Sequence, residues 1–135
     1  MKWYVGIVGI NQEGLALRGL QAKGFEVYCP IGKRVVKHAR KQITKQFPVF
    51  SRYIFIRFSD YSQACDPIKS TDGVIDILSN NWQPMEVPEW IIDDIKTREA
   101  QGKFDIIPAK TKQRRLYKSF EILKKLLNPD ATVQV

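Results

Sequence analysis

An α+β fold is what this sequence predicts: a four-stranded antiparallel sheet in the order β-α-β-β-α-β, with helices on one face, the other face open, and a helical tail. Alternating segments at residues 3–8 and 53–58 throw successive side chains to opposite sides, as strands do. Between and after them, apolar residues recur at the spacing of amphipathic helices. The chain of 135 residues, 44% hydrophobic, has the size and composition to bury one core. An antiparallel sheet can pack one face and leave the other free, and a free face is a binding face.

The first strand, 3–8, has Trp3, Val5 and Ile7 on one side and Tyr4, Gly6 and Val8 on the other. Asn11 is placed to cap the helix that follows, whose stripe is Ala16, Leu17 and Leu20. Gly24 stands where a left-handed C-terminal residue is expected. Phe25 to Pro30 makes the second strand, and a basic loop from Gly32 to Gln46 leads to the third. Asp66-Pro67 suggests the start of a short helix, since proline suits a first turn. Val74 to Leu78 forms a fourth strand, with a turn at Asn80-Asn81. Pro88 then opens a helix that buries Ile91, Ile92 and Ile95 and keeps Asp93, Asp94, Lys96 and Arg98 wet. A domain over residues 1–103 is followed by a second segment, 104–135. That segment is a linker and an amphipathic helix carrying Leu116, Phe120, Leu123 and Leu127, ended by Asn128-Pro129.

The third strand carries the most information. Ile54, Ile56 and Phe58 point to one side and read as core; Tyr53, Phe55 and Arg57 point to the other. Two aromatics beside a guanidinium suit a surface for an elongated or polyanionic partner better than a sealed core. Charge points the same way. The net charge is +8, and Lys33, Arg34, Lys37, Arg40, Lys41, Lys45, Arg52 and Arg57 lie in a segment without a carboxylate. That segregation favours an anionic partner, with a merely solvated face as the alternative.

Chemistry is sparse. Cys29 and Cys65 lack metal-binding or redox spacing and read as free thiols, and the lone histidine, His38, lies in the basic loop. Glycines 6, 9 and 14 form no phosphate cradle, and Asp93 and Asp94 diverge around their helix. No catalytic constellation, cofactor or metal is expected. Without a membrane-length apolar run or a leader, the expectation is a cytoplasmic monomer that contacts no membrane.

Trp3-Tyr-Val5, Glu13, Gly24-Phe-Glu-Val-Tyr-Cys-Pro30, Pro48-Val-Phe-Ser-Arg-Tyr-Ile-Phe55, Thr71-Asp-Gly-Val74 and Pro84-Met-Glu-Val-Pro88 resemble, in order and spacing, the N-terminal domain of NusG-type transcription elongation and antitermination factors. The resemblance covers about residues 1–103. It implies a non-catalytic domain that docks on the clamp helices of RNA polymerase through an open aromatic-apolar sheet face. The contact residues it implies are Val5, Ile7, Phe50, Tyr53 and Phe55, with core packing the alternative for Phe50. Lys33, Arg34, Lys37, Arg40, Lys41, Lys45 and Arg52 would meet phosphates of nearby DNA.

The chain departs from that family at Ser51-Arg52, where Pro-Gly is usual. It also has few polar or basic residues in its first helix beyond Arg18 and Lys23, and nothing after Lys103 resembling the small KOW barrel. The other reading is an RNA-recognition-motif-like module for single-stranded RNA. That fold has the same element order, and its first-strand stacking residue would be Tyr4. The two readings differ in which face of the first strand must be available.

Overall fold

The computed structural model describes residues 1–105; the expected amphipathic helix and its stripe lie outside the described residues. In chain order the elements are β1 (Lys2–Val8), α1 (Glu13–Ala22), β2 (Glu26–Tyr28), β3 (Ile31–His38), β4 (Lys41–Pro48), β5 (Tyr53–Phe58), α2 (Tyr61–Lys69), β6 (Val74–Ile77), β7 (Ser79–Asn80), β8 (Gln83–Pro84), β9 (Glu86–Val87) and α3 (Glu89–Ala100). The described residues divide between two compact units, one of residues 1–29 and 51–93, the other of residues 30–50 and 94–105, with α3 crossing the boundary.

The first unit holds the expected α+β sheet. Its strands run β2-β5-β1-β6, with β9 added along β1, and every pairing is antiparallel. Tyr4, Val8, Ile54, Ile56, Phe58 and Ile77 point to one face and form a single core with Ala16 and Leu20 of α1 and Ala64 and Ile68 of α2. Gly6 belongs to that face as well. A Cβ there would lie 2.8 Å from the Ile56 side chain, so the glycine admits the packed isoleucines.

One helix end follows the sequence and two helix starts do not. Gly24, at φ +91°, closes α1; the Phe25 N–H donates to the Leu20 carbonyl and the Gly24 N–H to that of Gln21, a Schellman ending. Lys69 in the last turn of α2 complements that helix's dipole. Asn11, however, does not cap α1. It takes a left-handed backbone, φ 59°, in the turn out of β1, a conformation asparagine tolerates, and Gln12 occupies the cap position without a side-chain bond. Helix α2 starts well before Asp66-Pro67, because the Asp60 carboxylate accepts from the Ser62 N–H at 3.0 Å and nucleates the first turn there. Pro67 falls in the last turn, where the missing N–H costs one bond near an end that frays anyway.

The second unit corrects the expected basic loop. Residues 31–48 form a long hairpin, β3 paired with β4 from Ile31↔Pro48 to His38↔Lys41. Its β-branched residues Val35, Val36, Ile43 and Thr44 suit a pleated ribbon. The two turn residues, Ala39 (φ 49°) and Arg40 (φ 69°), both adopt the left-handed backbone that two-residue hairpin turns require, without the Asn-Gly pair that announces such a turn. Carboxylates anchor the base. Glu99 accepts the Ile31 N–H and Asp105 accepts the Lys33 N–H at 2.8 Å. Gly32 is required where the ribbon is tightest, since a Cβ would lie 2.5 Å from the Phe47 ring and 2.7 Å from the Phe104 carbonyl oxygen.

Candidate functional site

The second sheet face carries the expected docking residues of the first unit. Register places Val5 opposite Phe55, Ile7 opposite Tyr53 and Trp3 opposite Arg57, so all six share the face away from α1 and α2. Tyr28, paired with Phe55, stacks on it at a ring separation of 6.1 Å. The face is not open as expected. Val5 and Phe55 are 1% exposed, and Phe50, in the other unit, is also buried; Ile7 and Tyr53 alone among the five keep partial exposure. Alternation fixes which side a residue points to, but what lies over that side is a tertiary matter.

Arg57 is likewise committed internally. Its guanidinium sits 5.7 Å from the Trp3 ring centre and pairs with Glu26 and Glu89 at 3.4 Å each. Both carboxylates are remote in the chain, so the carboxylate-free segment around Arg57 does not reveal them. The opposite parity, needed by an RNA-stacking module, is overturned: Tyr4 is buried in the core, its ring 4.2 Å from that of Phe58 and nearly parallel to it. A base cannot reach it.

Hairpin pairing sorts the basic residues onto two sides. Arg34 lies opposite Lys45 and His38 opposite Lys41, flanking the Val36/Ile43 pair on one face; Lys33 and Lys37 occupy the other, opposite Gln46 and Gln42. Arg40 is at the turn. Lys33, Lys37, Arg40, Lys41 and Lys45 are exposed and Arg34 partly so. Among the described residues none of these six pairs with a carboxylate, and the Arg34 Nε is buried with no hydrogen-bond partner. Two cations directly opposite each other, as Arg34 and Lys45 are, repel.

Arg52 stands apart from that set. It lies in the first unit, at φ 72°, the left-handed position glycine fills most easily, and three bonds hold it. Its N–H donates to the Glu13 carboxylate at 2.9 Å, its carbonyl accepts the Val8 N–H at 2.9 Å, and its Nε donates to the Val8 carbonyl at 3.2 Å. Glu13, 8% exposed, therefore braces the turn into β5 from the first turn of α1.

Trp82 is the most exposed of the large hydrophobic residues among those described. Strands β7 and β8 form a two-residue hairpin whose turn is Asn81-Trp82, one residue beyond the expected Asn80-Asn81. Trp82 is 98% exposed at φ 68°. A bulky residue in that conformation costs roughly 1–2 kcal/mol. Asn80-Asn81 drew the turn assignment because asparagine is the expected left-handed residue.

Among the described residues there is no cluster of potential ligands for a metal ion, and no helix is long and apolar enough to cross a membrane. Residues 1–96 match the family described as transcription termination factor nusG. A solved structure concerned with domain interaction in Thermotoga maritima NusG is similar in fold, with a TM-score of 0.53 and 18% identity over 74% of this chain. The chain spans 58% of the length of that one. No curated protein matches it.

Proposed function

The chain belongs to the NusG family of transcription factors, and from that premise we propose that it is a non-catalytic elongation or antitermination factor that docks on the RNA polymerase clamp helices and touches nearby DNA phosphates. Docking uses the face of Val5, Ile7, Tyr53 and Phe55 in the first unit. Ile7 and Tyr53 supply the accessible part, and a rigid aromatic such as Tyr53 is suited to anchor an interface at low entropy cost. Val5 and Phe55 join only if what covers them moves.

One observation carries the DNA half of the proposal: a two-stranded ribbon bearing six cations, none paired with a carboxylate among the described residues. Such contacts position a factor without reading sequence, and they release counterions. Arg52 is a weaker candidate than the hairpin cations, because its Nε is already bonded to the Val8 carbonyl.

Binding to polymerase–DNA complexes over a range of salt tests this half. Neutralising Lys37, Arg40 and Lys41 together lowers the slope of log K against log salt by up to about 3, at roughly 0.9 per lost phosphate contact. An unchanged slope removes the hairpin from the interface.

A further inference from the structure

Single exposed apolar residues are ordinary on protein surfaces. Trp82 differs in two respects: its indole is 98% exposed, and its backbone is held at φ 68°, where glycine, asparagine or aspartate would rest more easily. The turn is also clamped. Ser79 pairs with Pro84, Asn80 with Gln83, and the Met85 N–H donates to the Leu78 carbonyl at 2.9 Å, so the ring is carried on a pre-ordered tip. Strain of this kind persists where the surroundings over-determine it and a use is made of it.

The neighbours indicate the use. Ser79, Asn80, Asn81 and Gln83 are all exposed, and residues 79–85 carry no charge. Protein-docking anchors are ringed by other contacts that exclude water, whereas the residues on either side of Trp82 in this turn, Asn80, Asn81 and Gln83, are exposed carboxamides. A flat π-surface beside amide groups is the combination that holds an unpaired base: the ring takes its face, and asparagine or glutamine takes its edge. With a net charge of +8, the chain attracts the polyanion that would deliver such a base.

We propose that Trp82 is a stacking platform for an unpaired nucleobase of single-stranded nucleic acid, with Asn80, Asn81 and Gln83 around it as groups that hydrogen-bond the base edge. This rests on the preceding function only in needing a nucleic-acid strand nearby. The test is the affinity of the full chain for a fluorescent oligothymidylate and for an abasic strand of equal length, at low salt. Trp82→Ala and Trp82→Gly are compared with Trp82→Phe; the glycine variant suits the left-handed position, so the turn is kept while the ring is lost.

Both ring-less variants are expected to weaken oligothymidylate binding about tenfold or more, from the stacking of one base. Trp82→Phe stays close to wild type, and abasic binding does not change. Equal affinity of wild type and the ring-less variants overturns the proposal, as does an equal loss on the abasic strand or no binding of the wild type to oligothymidylate. Loss of binding to core polymerase without nucleic acid on Trp82→Ala also overturns it, by making the indole a protein anchor. Neutralising Lys37, Arg40 and Lys41 is read separately: it weakens both strands alike, so failure of the hairpin and failure of Trp82 are distinct results.

Discussion

Replacing Glu13 with alanine removes a carboxylate that holds the turn into β5. Its Oε2 accepts the Arg52 N–H at 2.9 Å, and the residue is 8% exposed. A hydrogen bond to a charged group contributes about 1.5–3 kcal/mol, and partial access of water to the freed N–H places this one near the lower end. Loss of an acidic side chain from the first turn of α1 adds about 0.5 kcal/mol, which alanine's better helix propensity nearly returns. The net expectation is a loss of about 1.5–2 kcal/mol. With a urea slope near 1.5 kcal/mol per M, the unfolding midpoint falls by about 1 M. Glu13→Gln keeps an acceptor and loses roughly half as much. Equilibrium unfolding in urea, followed by far-UV circular dichroism, measures both. A midpoint shift below about 0.3 M for Glu13→Ala refutes the bracing role, because even a weak net hydrogen bond exceeds it.

The turn itself makes a second prediction: Arg52→Gly stays within about 1 kcal/mol of wild type, since relief of the left-handed strain offsets the lost bond to Val8, whereas Arg52→Ala keeps the strain and falls about 1 kcal/mol below the glycine variant. The same urea titrations check it. Gly32→Ala should destabilise the second unit by about 1–3 kcal/mol through overlap with Phe47 and the Phe104 carbonyl, seen as lost amide protection in the β3–β4 ribbon. At the cap of α2, the Ser62 hydroxyl beside Asp60 holds its carboxyl below the ordinary value of 3.8. The stabilisation is therefore present above that value and lost as pH falls through the folded-state pKa, so Asp60→Asn should flatten the acid limb of the stability profile.

The alternation of residues 3–8 and 53–58 is enough to assign every side chain of β1 and β5 to its face, because strand parity is a local property. The Gly24 ending of α1 is local too. Elements that depend on long-range partners were not legible. The β3–β4 ribbon looked like a loop because its turn, Ala39-Arg40, lacks the residues that favour left-handed backbone, and because Glu99 and Asp105, which hold its base, lie far along the chain. Burial of Phe55 and Val5, and the commitment of Arg57 to Glu26 and Glu89, likewise depend on packing that periodicity does not encode. The Asn81-Trp82 turn is not legible because tryptophan is an improbable residue for a left-handed turn position.

Binding to core RNA polymerase in the absence of nucleic acid tests the docking claim most directly, with Tyr53→Ala set against Leu15→Ala. Tyr53 is partly exposed on the docking face, while Leu15 is exposed on α1, whose core residues pack against the opposite face. Phe55 and Tyr4 are unsuitable probes, because truncating a buried ring costs about 3–5 kcal/mol of folding stability and would mimic lost binding. Wild type and Leu15→Ala are expected to bind alike and Tyr53→Ala about tenfold or more weakly, as an aromatic anchor worth some 1.4 kcal/mol or more requires. Equal binding by Tyr53→Ala, or no binding by the wild type, contradicts the docking claim.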